Sequence, residues 1–148
     1  MGLADDDRIT AFGLFLEAFA AVNAKIEREL EAVAGISSAE FGVLLRLART
    51  PGEHLRMTEL AEGAGLSTSG MTRLVDRLEA AGYVERAACP VDRRGLEAVL
   101  TAKGRKLVQK ALPTHLASLE EHIAGPLCGD LAKLEEPMRL LRDSARAR

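Results

Sequence analysis

Apolar residues recur at intervals of three and four along the first part of the chain, which is the spacing of one face of an α-helix. Asp5, Asp6 and Asp7 precede this pattern and Gly35 follows it, as expected at the two ends of a helix. The pattern therefore predicts one long helix over residues 5–35. Its apolar stripe is Phe12, Phe15, Phe19, Val22, Ile26, Leu30 and Val33.

A second helical pattern begins near Ser37 and Ser38, and either hydroxyl can cap the first turn of a helix. The pattern stops before Pro51, because a proline disfavours helical geometry in the residue that precedes it. The segment TPGEHLR, residues 50–56, is predicted to be a loop. The residues of the second helix that are predicted to face inward are Phe41, Leu44, Leu45 and Ala48.

Two further helical patterns follow almost back to back. Thr58 is predicted to cap a short helix over ELAEGA, and Ser67 a longer one over TSGMTRLVDRLEAA that ends at Gly82. Three hydroxyls and Gly70 stand at the start of the longer helix, which a core helix does not need. This end is therefore predicted to face something outside the chain. The inner face of the longer helix is predicted to be Met71, Leu74, Val75 and Leu78.

The periodicity changes to two after Gly82, which is typical of β-strands. YVERAA and LEAVLT are predicted to be short strands, and the CPVDRRG segment between them has the composition of a hairpin tip. A helix starts at Thr101, which Pro113 should kink or break, and Pro137 interrupts a last helix in the same way. The predicted fold class is mainly α with a small β-hairpin wing, a winged helix-turn-helix flanked by N- and C-terminal helices.

The outer helices are more apolar than one small winged core requires. Apolar stripes that a chain cannot cover by itself usually mark a partner surface, and the simplest partner is a second copy. We therefore expect a homodimer built from the terminal helices. The stripes of the two C-terminal helices are Val108, Leu112, Leu116, Leu119 and Ile123, and Leu131, Leu134, Met138 and Leu141.

The composition is that of a globular protein, with 148 residues of which 47% are hydrophobic and 28% charged. Aromatic residues make up 3%, with no Trp, which disfavours broad stacking on single-stranded nucleic acid. Two distant cysteines make no disulfide framework, so a cytoplasmic setting is expected. The acidic N-terminus does not resemble a secretory signal, and the apolar run AFGLFLEAFAAV is short for a membrane span, so no membrane partner is expected.

Two blocks of the sequence resemble the MarR family of winged-helix transcription regulators. MTELAEGAGLSTSGMTRLVDRLEAAGYVER is similar to the paired helices and first wing strand of that family. DRRGLEAVLTAKG, residues 92–104, is similar to its wing signature: an aspartate, an arginine two places on, then Leu100, Thr101 and Gly104. The two blocks in this order are specific, whereas either alone would be a much weaker signal.

The resemblance implies a single domain over residues 1–148. Residues 5–35 and 102–148 would form dimerisation helices, and residues 37–101 the winged helix-turn-helix. It also implies a homodimer that binds double-stranded DNA at an inverted-repeat operator, often as a repressor released by a small-molecule effector. It implies neither an enzyme nor a cofactor, and the sequence shows no phosphate loop or activated nucleophile.

The charge distribution agrees with DNA binding. Residues 67–106 contain eight basic and five acidic side chains, a local charge of +3, whereas the whole chain carries −2. Basic groups that gather on one part of a neutral or acidic chain are what DNA binding requires. An alternative is a winged helix used only for contact with other proteins, since the fold does not determine the function.

The start of the longer helix offers unpaired N–H groups and the positive end of a dipole, which suit phosphate oxygens. We expect Thr72 and Arg73 to contact base edges, and phosphates to be contacted mainly by Ser67, Ser69 and Arg77. Thr68 adds a third hydroxyl at the same end. In the alternative interpretation, Ser67 only caps the helix and the arginines form a solvated face.

Arg93 and Arg94 lie at the predicted hairpin tip. The resemblance assigns Arg94 to a minor groove, and it assigns Asp92 to bracing the wing by pairing with an arginine such as Arg86. An exposed Asp–Arg turn of little energetic value is the alternative. Ala87 and Ala88 stand where relatives often carry a longer or basic residue.

Other reactive side chains give weak signals. Cys89 could be an exposed redox thiol at the wing, but a small residue without special function is the commoner case. His115, His122 and Cys128 could be metal ligands, but their spacing is not that of a tight structural site and an interface histidine is favoured. We therefore expect no metal.

Overall fold

The computed structural model describes residues 5–147. These residues form six α-helices and a three-stranded sheet, so the predicted fold class is confirmed. A 3-10 turn, Pro51–Glu53, precedes the first strand, and a π-helical turn, Glu120–Ala124, follows the fifth helix. The elements are α1 (Asp7–Ala34), α2 (Ser38–Ala48), β1 (His54–Arg56), α3 (Met57–Ala64), α4 (Thr68–Ala80), β2 (Val84–Ala88), β3 (Leu96–Leu100), α5 (Ala102–Leu119) and α6 (Ala132–Arg146).

The chain divides into two compact units. The central unit is Glu27–Thr114, and the terminal unit comprises Met1–Ile26 and His115–Arg148. The central unit contains the sheet and helices α2, α3 and α4, and the terminal unit contains α6 and most of the apolar part of α1. The expected single domain, with dimerisation helices over 5–35 and 102–148, stays a prediction.

The core of the central unit is formed by the inner faces of α2, α3 and α4. The predicted inner face of α4 is confirmed, because Met71, Leu74, Val75 and Leu78 are all buried. On α2 the prediction was wrong in part, because Leu45 and Ala48 are only half-buried. The helix presents a slightly rotated arc to the core. The buried residues of α2 are Phe41, Val43, Leu44 and Leu47.

The sheet has the strand order β1–β3–β2, and both pairs are antiparallel. In the β1 pair His54 lies opposite Val99 and Arg56 opposite Glu97. The prediction that residues 50–56 form only a loop was therefore wrong. Three residues are too few to show a period-two pattern, and they become a strand because β3 provides a free edge.

The helix starts agree with the prediction in two cases of three. Ser37, not Ser38, caps α2, and Ser67 caps α4. The predicted cap at Thr58 was wrong, because α3 begins at Met57. The carboxylate of Glu59 accepts the N–H of Arg56 at 3.0 Å, which starts the helix earlier than a Thr58 cap would.

Neither internal proline interrupts a helix. The break expected at Pro113 is contradicted, because α5 continues through that residue to Leu119, and α6 likewise continues through Pro137 to Arg146. A kink at Pro113 stays a prediction. A proline removes one backbone hydrogen bond, and the turns on either side of it remain helical.

The terminal unit exposes a large apolar surface. Phe12 is 62% exposed, and every described side chain of α6 except that of Met138 is exposed. By length and composition α1 could cross a membrane, since its most apolar stretch has a mean hydropathy of 1.5 and none of that stretch is buried. The expectation that this segment is too short was wrong, because the helix extends well beyond the apolar run. The absence of a membrane partner stays a prediction.

Candidate nucleic-acid interface

The first turn of α4 is open to solvent. Ser67 is extended, with φ −65° and ψ 158°, and its Oγ accepts the N–H of Gly70 at 3.1 Å. The Oγ atoms of Ser67 and Ser69 lie 3.2 Å apart. The turn contains no acidic residue, and within residues 5–147 the N–H groups of Thr68 and Ser69 have no acceptor. Two free donors and exposed hydroxyls therefore stand together at the positive end of the helix dipole.

The outer face of α4 carries exposed polar side chains opposite its buried face. The Thr72 hydroxyl donates to the carbonyl of Thr68 at 2.9 Å, so its lone pairs and methyl group remain available. The side chain of Arg73 has no ion pair or hydrogen bond with any described residue. Its guanidinium is therefore available to an outside acceptor. The exposed polar residues of this face include Thr72, Arg73, Asp76 and Arg77.

Arg77, unlike Arg73, is held by its own chain. Its Nε donates to Oε1 of Glu40, in the first turn of α2, at 3.0 Å. The Arg77 side chain is nevertheless 60% exposed. The exposed part of its guanidinium can therefore contact a phosphate while Glu40 holds its Nε in place.

Arg86 joins the wing to α4. From β2 its Nη2 reaches Oδ1 of Asp76 at 2.6 Å and the carbonyl of Thr72 at 3.2 Å, and its Nη1 reaches Oε2 of Glu79 at 2.5 Å. Its backbone N–H also donates to Glu79, at 3.1 Å. Desolvation lowers the pKa of Arg86, but the hydrogen bonds to the two carboxylates outweigh it and raise the pKa. The guanidinium also neutralises two acids that would otherwise repel phosphate from α4.

The expected pairing of Asp92 with Arg86 was wrong. Oδ1 of Asp92 accepts the backbone N–H of Arg94 at 3.0 Å, and the carbonyl of Asp92 accepts the N–H of Gly95 at 2.9 Å. Asp92 thus closes its own turn, because a short carboxylate readily bonds a backbone N–H two residues on. Arg86 is occupied by acids of α4, which the fold brings nearer to it.

The side chains of Arg93 and Arg94 project from this turn, between β2 and β3. Both are exposed, and neither guanidinium has a partner among residues 5–147. The N–H of Cys89 donates to the carbonyl of Gly95 at 2.9 Å, which closes the base of the turn. The alternative of an exposed thiol is contradicted, since Cys89 is buried with 3% exposure, in line with the favoured interpretation of a small residue without special function.

The start of α5 holds the end of α4 and the start of β2. Oγ1 of Thr101 donates to the carbonyl of Gly82 at 2.7 Å, and Nζ of Lys103 donates to the carbonyl of Ala81 at 2.6 Å. Gly104 packs so closely here that a Cβ would lie 2.2 Å from the carbonyl oxygen of Tyr83. Thr101 and Gly104, named by the wing signature, thus fix where the wing leaves α4.

The predicted residues fall in two places. Six lie on the first three turns of α4 or at its cap, and Arg93 and Arg94 lie at the wing tip. Sequence reasoning missed Glu40, although the spacing Ser37-x-x-Glu40 is the signature of a capping box. It also missed that Arg105, counted as a basic residue of this region, is paired with Glu53.

The sequence model described as MarR family matches residues 34–95. The HTH-type transcriptional repressor Rv2887 of Mycobacterium tuberculosis is 37% identical over 112 residues, which cover 75% of this chain and 76% of the repressor. The transcriptional repressor MprA of Escherichia coli is 34% identical over 79 residues, which cover 53% of this chain and 45% of MprA.

Two solved structures from Streptomyces coelicolor are similar over nearly the whole chain. Sco3205, a MarR family transcriptional regulator in complex with DNA, has a TM-score of 0.83 and 32% identity, and the match covers 91% of this chain and 85% of Sco3205. AbsC, another MarR family transcriptional regulator, has a TM-score of 0.87 and 29% identity over the whole of both chains. Because a relative of more than 30% identity is matched over three quarters of its length and the fold agrees, this chain belongs to the MarR family of DNA-binding transcription regulators, which are not enzymes.

Proposed function

We propose that the protein is a cytoplasmic, sequence-specific repressor that binds an inverted-repeat operator in double-stranded DNA as a homodimer and is released by a small-molecule effector. The observation that carries the DNA-binding part is the open N-terminus of α4. Free N–H groups, three hydroxyls and the uncommitted Arg73 stand there on one exposed end. The DNA-bound Sco3205 and the repressor Rv2887 support the same assignment by similarity.

Each polar group of α4 is assigned to a base or to a phosphate according to whether it already has a hydrogen-bond partner in the chain. Arg73 is assigned to a guanine edge, because an uncommitted guanidinium can bond O6 and N7 together. The Thr72 hydroxyl already donates its proton to the carbonyl of Thr68. Thr72 is therefore assigned either to a base amino group, from which its oxygen can accept a hydrogen bond, or to a thymine methyl, which its own methyl group can contact. Ser67, Thr68 and Ser69 are assigned to phosphates at the end of the helix.

The wing is assigned to the adjacent minor groove. Arg93 and Arg94 are free and exposed at its tip, and a narrow minor groove has the enhanced negative potential that attracts a guanidinium. Arg94 is the preferred candidate, since Asp92 holds its backbone N–H and therefore fixes the turn from which its side chain extends.

Dimerisation is supported by the apolar surface of the terminal unit. Exposed apolar patches of this extent on a single chain mark an interface, and a symmetric dimer is the commonest assembly. Two reading helices related by a two-fold axis require half-sites about one helical turn apart, roughly 10 base pairs. The exposed side chains on which this rests are Phe12, Phe15, Phe19, Leu116, Leu131, Leu134, Leu140 and Leu141.

Selection of bound duplexes from random DNA by the purified protein tests the proposal. The expected result is an inverted repeat whose binding weakens steeply with salt, together with sedimentation as a dimer without detergent. Random selected sequences, or no salt-dependent binding, would leave a winged helix used for protein contacts. Sedimentation as a monomer with intact operator binding would contradict the dimer. Partition of the protein into lipid vesicles would assign the α1 surface to a membrane instead.

A further inference from the structure

Glu40 and Arg77 form a contact between two elements that lie far apart in the sequence. The two residues are 37 positions apart, and the fold brings Oε1 of Glu40 to 3.0 Å from Nε of Arg77. Arg73, Arg93 and Arg94, the other arginines assigned to DNA, have no partner among residues 5–147. Of the arginines assigned to DNA, Arg77 is therefore the one whose guanidinium is bound by a side chain among residues 5–147.

Glu40 is itself immobilised. Its Oε2 accepts the N–H of Ser37 at 2.9 Å, and its own N–H donates to Oγ of Ser37 at 3.1 Å. The side chain is only 15% exposed. Partial burial raises the pKa of Glu40, but hydrogen bonds from Ser37 and Arg77 outweigh it and lower the pKa, so the group stays charged near neutral pH. Arg77 is thus tethered to a fixed point and not to a flexible surface acid.

The hydrogen bond to Glu40 uses one of the hydrogen-bond donors of the Arg77 guanidinium. Arginine has five N–H donors, and only that of Nε is used by Glu40. The Nη1 and Nη2 groups have no partner among the described residues, and together they can bind a phosphate with two parallel bonds. A guanidinium that is already oriented loses less side-chain freedom when it binds than one that moves freely.

We propose that Glu40 is a positioning residue for DNA binding, which fixes Nε of Arg77 so that its two terminal nitrogens are held ready for a backbone phosphate. This inference rests on the proposed DNA-binding function and adds a residue of α2 to it. It makes the cap of α2 part of the reading surface although no residue of α2 is assigned to a base.

The variant Glu40→Gln tests the role, because the amide oxygen can keep the hydrogen bond to Ser37 while the charge that holds Arg77 is lost. The probes are the duplex that wild-type protein selects from random DNA and an unrelated duplex of equal length. The expected result is a Kd that is weaker by roughly threefold to tenfold for both duplexes, because a contact to a backbone phosphate does not depend on the base sequence. In an Arg77→Ala background the same change should leave Kd unaltered.

Glu27→Gln is the matched control. Glu27 also serves the start of α2, through the N–H of Ser38 at 2.7 Å, but Glu40 is the acid that contacts Arg77. Both glutamine variants should lower the melting temperature slightly, and only Glu40→Gln should change Kd at a temperature where all variants are folded.

The outcomes separate the two proposals. If wild-type protein binds neither duplex, the DNA-binding function is wrong and the inference falls with it. If wild type binds but Glu40→Gln binds equally well or more tightly, Glu40 does not position Arg77. Two other results would each show that Glu40 serves only the stability of α2. In the first, Glu40→Gln weakens DNA affinity equally in the wild-type and Arg77→Ala backgrounds, and in the second it weakens DNA affinity no more than Glu27→Gln does.

Discussion

The first turns of α2 and α4 have the same backbone geometry and opposite chemistry. Each is capped by an extended serine, Ser37 with φ −72° and ψ 160° and Ser67 with φ −65° and ψ 158°. Three positions later α2 has Glu40 and α4 has Gly70. One turn is a complete capping box, and the other lacks the acidic half.

The difference decides which helix can take an outside anion. At α2 the N–H groups of Ser37, Ser38 and Glu40 are all bound by side-chain oxygens of the chain. In the first turn of α4, among residues 5–147, only the N–H of Gly70 is bound by a side chain, the neutral hydroxyl of Ser67. Since a carboxylate at a helix start satisfies the same donors as a phosphate would, the missing acid is what leaves α4 available.

The strongest test converts one turn into the other. Gly70→Glu creates the Ser-x-x-Glu spacing of α2 at the start of α4. We expect DNA affinity to fall by roughly a hundredfold, about 3 kcal/mol, because the new carboxylate repels phosphate and, as Glu40 does for Ser37, can accept the N–H of the capping residue Ser67. A Cβ at position 70 would lie 3.2 Å from Oγ of Ser67, which requires only a small shift.

Gly70→Gln separates charge from bulk in that test. The amide can complete the cap without a negative charge, so it should cost much less affinity than Gly70→Glu. Both variants should melt at or above the wild-type temperature, because glycine is a poor helix former. An equal loss in the two variants would show that the backbone must approach DNA closely at Gly70 and that acidity is irrelevant.

Replacement of the free guanidinium of α4 should have the next largest effect. Arg73→Ala should cost roughly 1–3 kcal/mol on the selected operator and relax the preference at one base position in each half-site. Selection from random duplexes with the variant measures this directly. A uniform loss over all sequences would make Arg73 a phosphate contact.

The wing should contribute through groove shape more than through base identity. Arg94→Ala should weaken binding, leave the major-groove preferences unchanged and reduce the slope of log affinity against log salt by about two per dimer. The comparison uses operators with A·T-rich and G·C-rich flanks, and Arg94→Lys should recover part of the affinity. A flank preference shared equally by Arg94→Ala and wild type would exclude the minor-groove role.

The smallest expected difference compares the two capping serines. Ser37→Ala and Ser67→Ala should each lower the free energy of unfolding by roughly 0.5–2 kcal/mol. Ser37→Ala should leave operator affinity nearly unchanged, since Glu40 keeps its place on α2. Ser67→Ala should also weaken binding severalfold, because it disturbs the open turn. Thermal melting of the two variants measures their stability, and titration with operator DNA measures their affinity. Equal losses of affinity in Ser37→Ala and Ser67→Ala would contradict the proposed difference between the two caps.

The sequence predicted α4 well because all the signals of that helix are local. The Ser67 cap, the apolar spacing from Met71 to Leu78 and the final Gly82 lie within a few residues of one another. The hairpin was predicted for the same reason. These features depend on backbone preferences and helical periodicity, which a single sequence displays.

Several of the features that were missed depend on residues distant in the sequence. β1 exists because His54 pairs with Val99, and Arg77 is tethered because α2 packs beside α4. Arg86 meets acids of α4 and not Asp92, since the choice among nearby carboxylates is made by the folded geometry. The hydrophobic pattern and the spacing of residues along the chain do not show which distant residues the fold brings together.

The tight packing of Gly104 has a consequence for how this chain tolerates change. The hypothetical Cβ that comes within 2.2 Å of the Tyr83 oxygen also comes within 2.8 Å of Leu100, so even alanine cannot enter without moving the backbone. In a library in which every residue is tried at every position, position 104 should accept glycine alone, although no DNA contact is assigned to it. Loss of repression in such a library therefore identifies two groups of positions: those that touch the operator and those, like Gly104, where the chain has no room for a side chain.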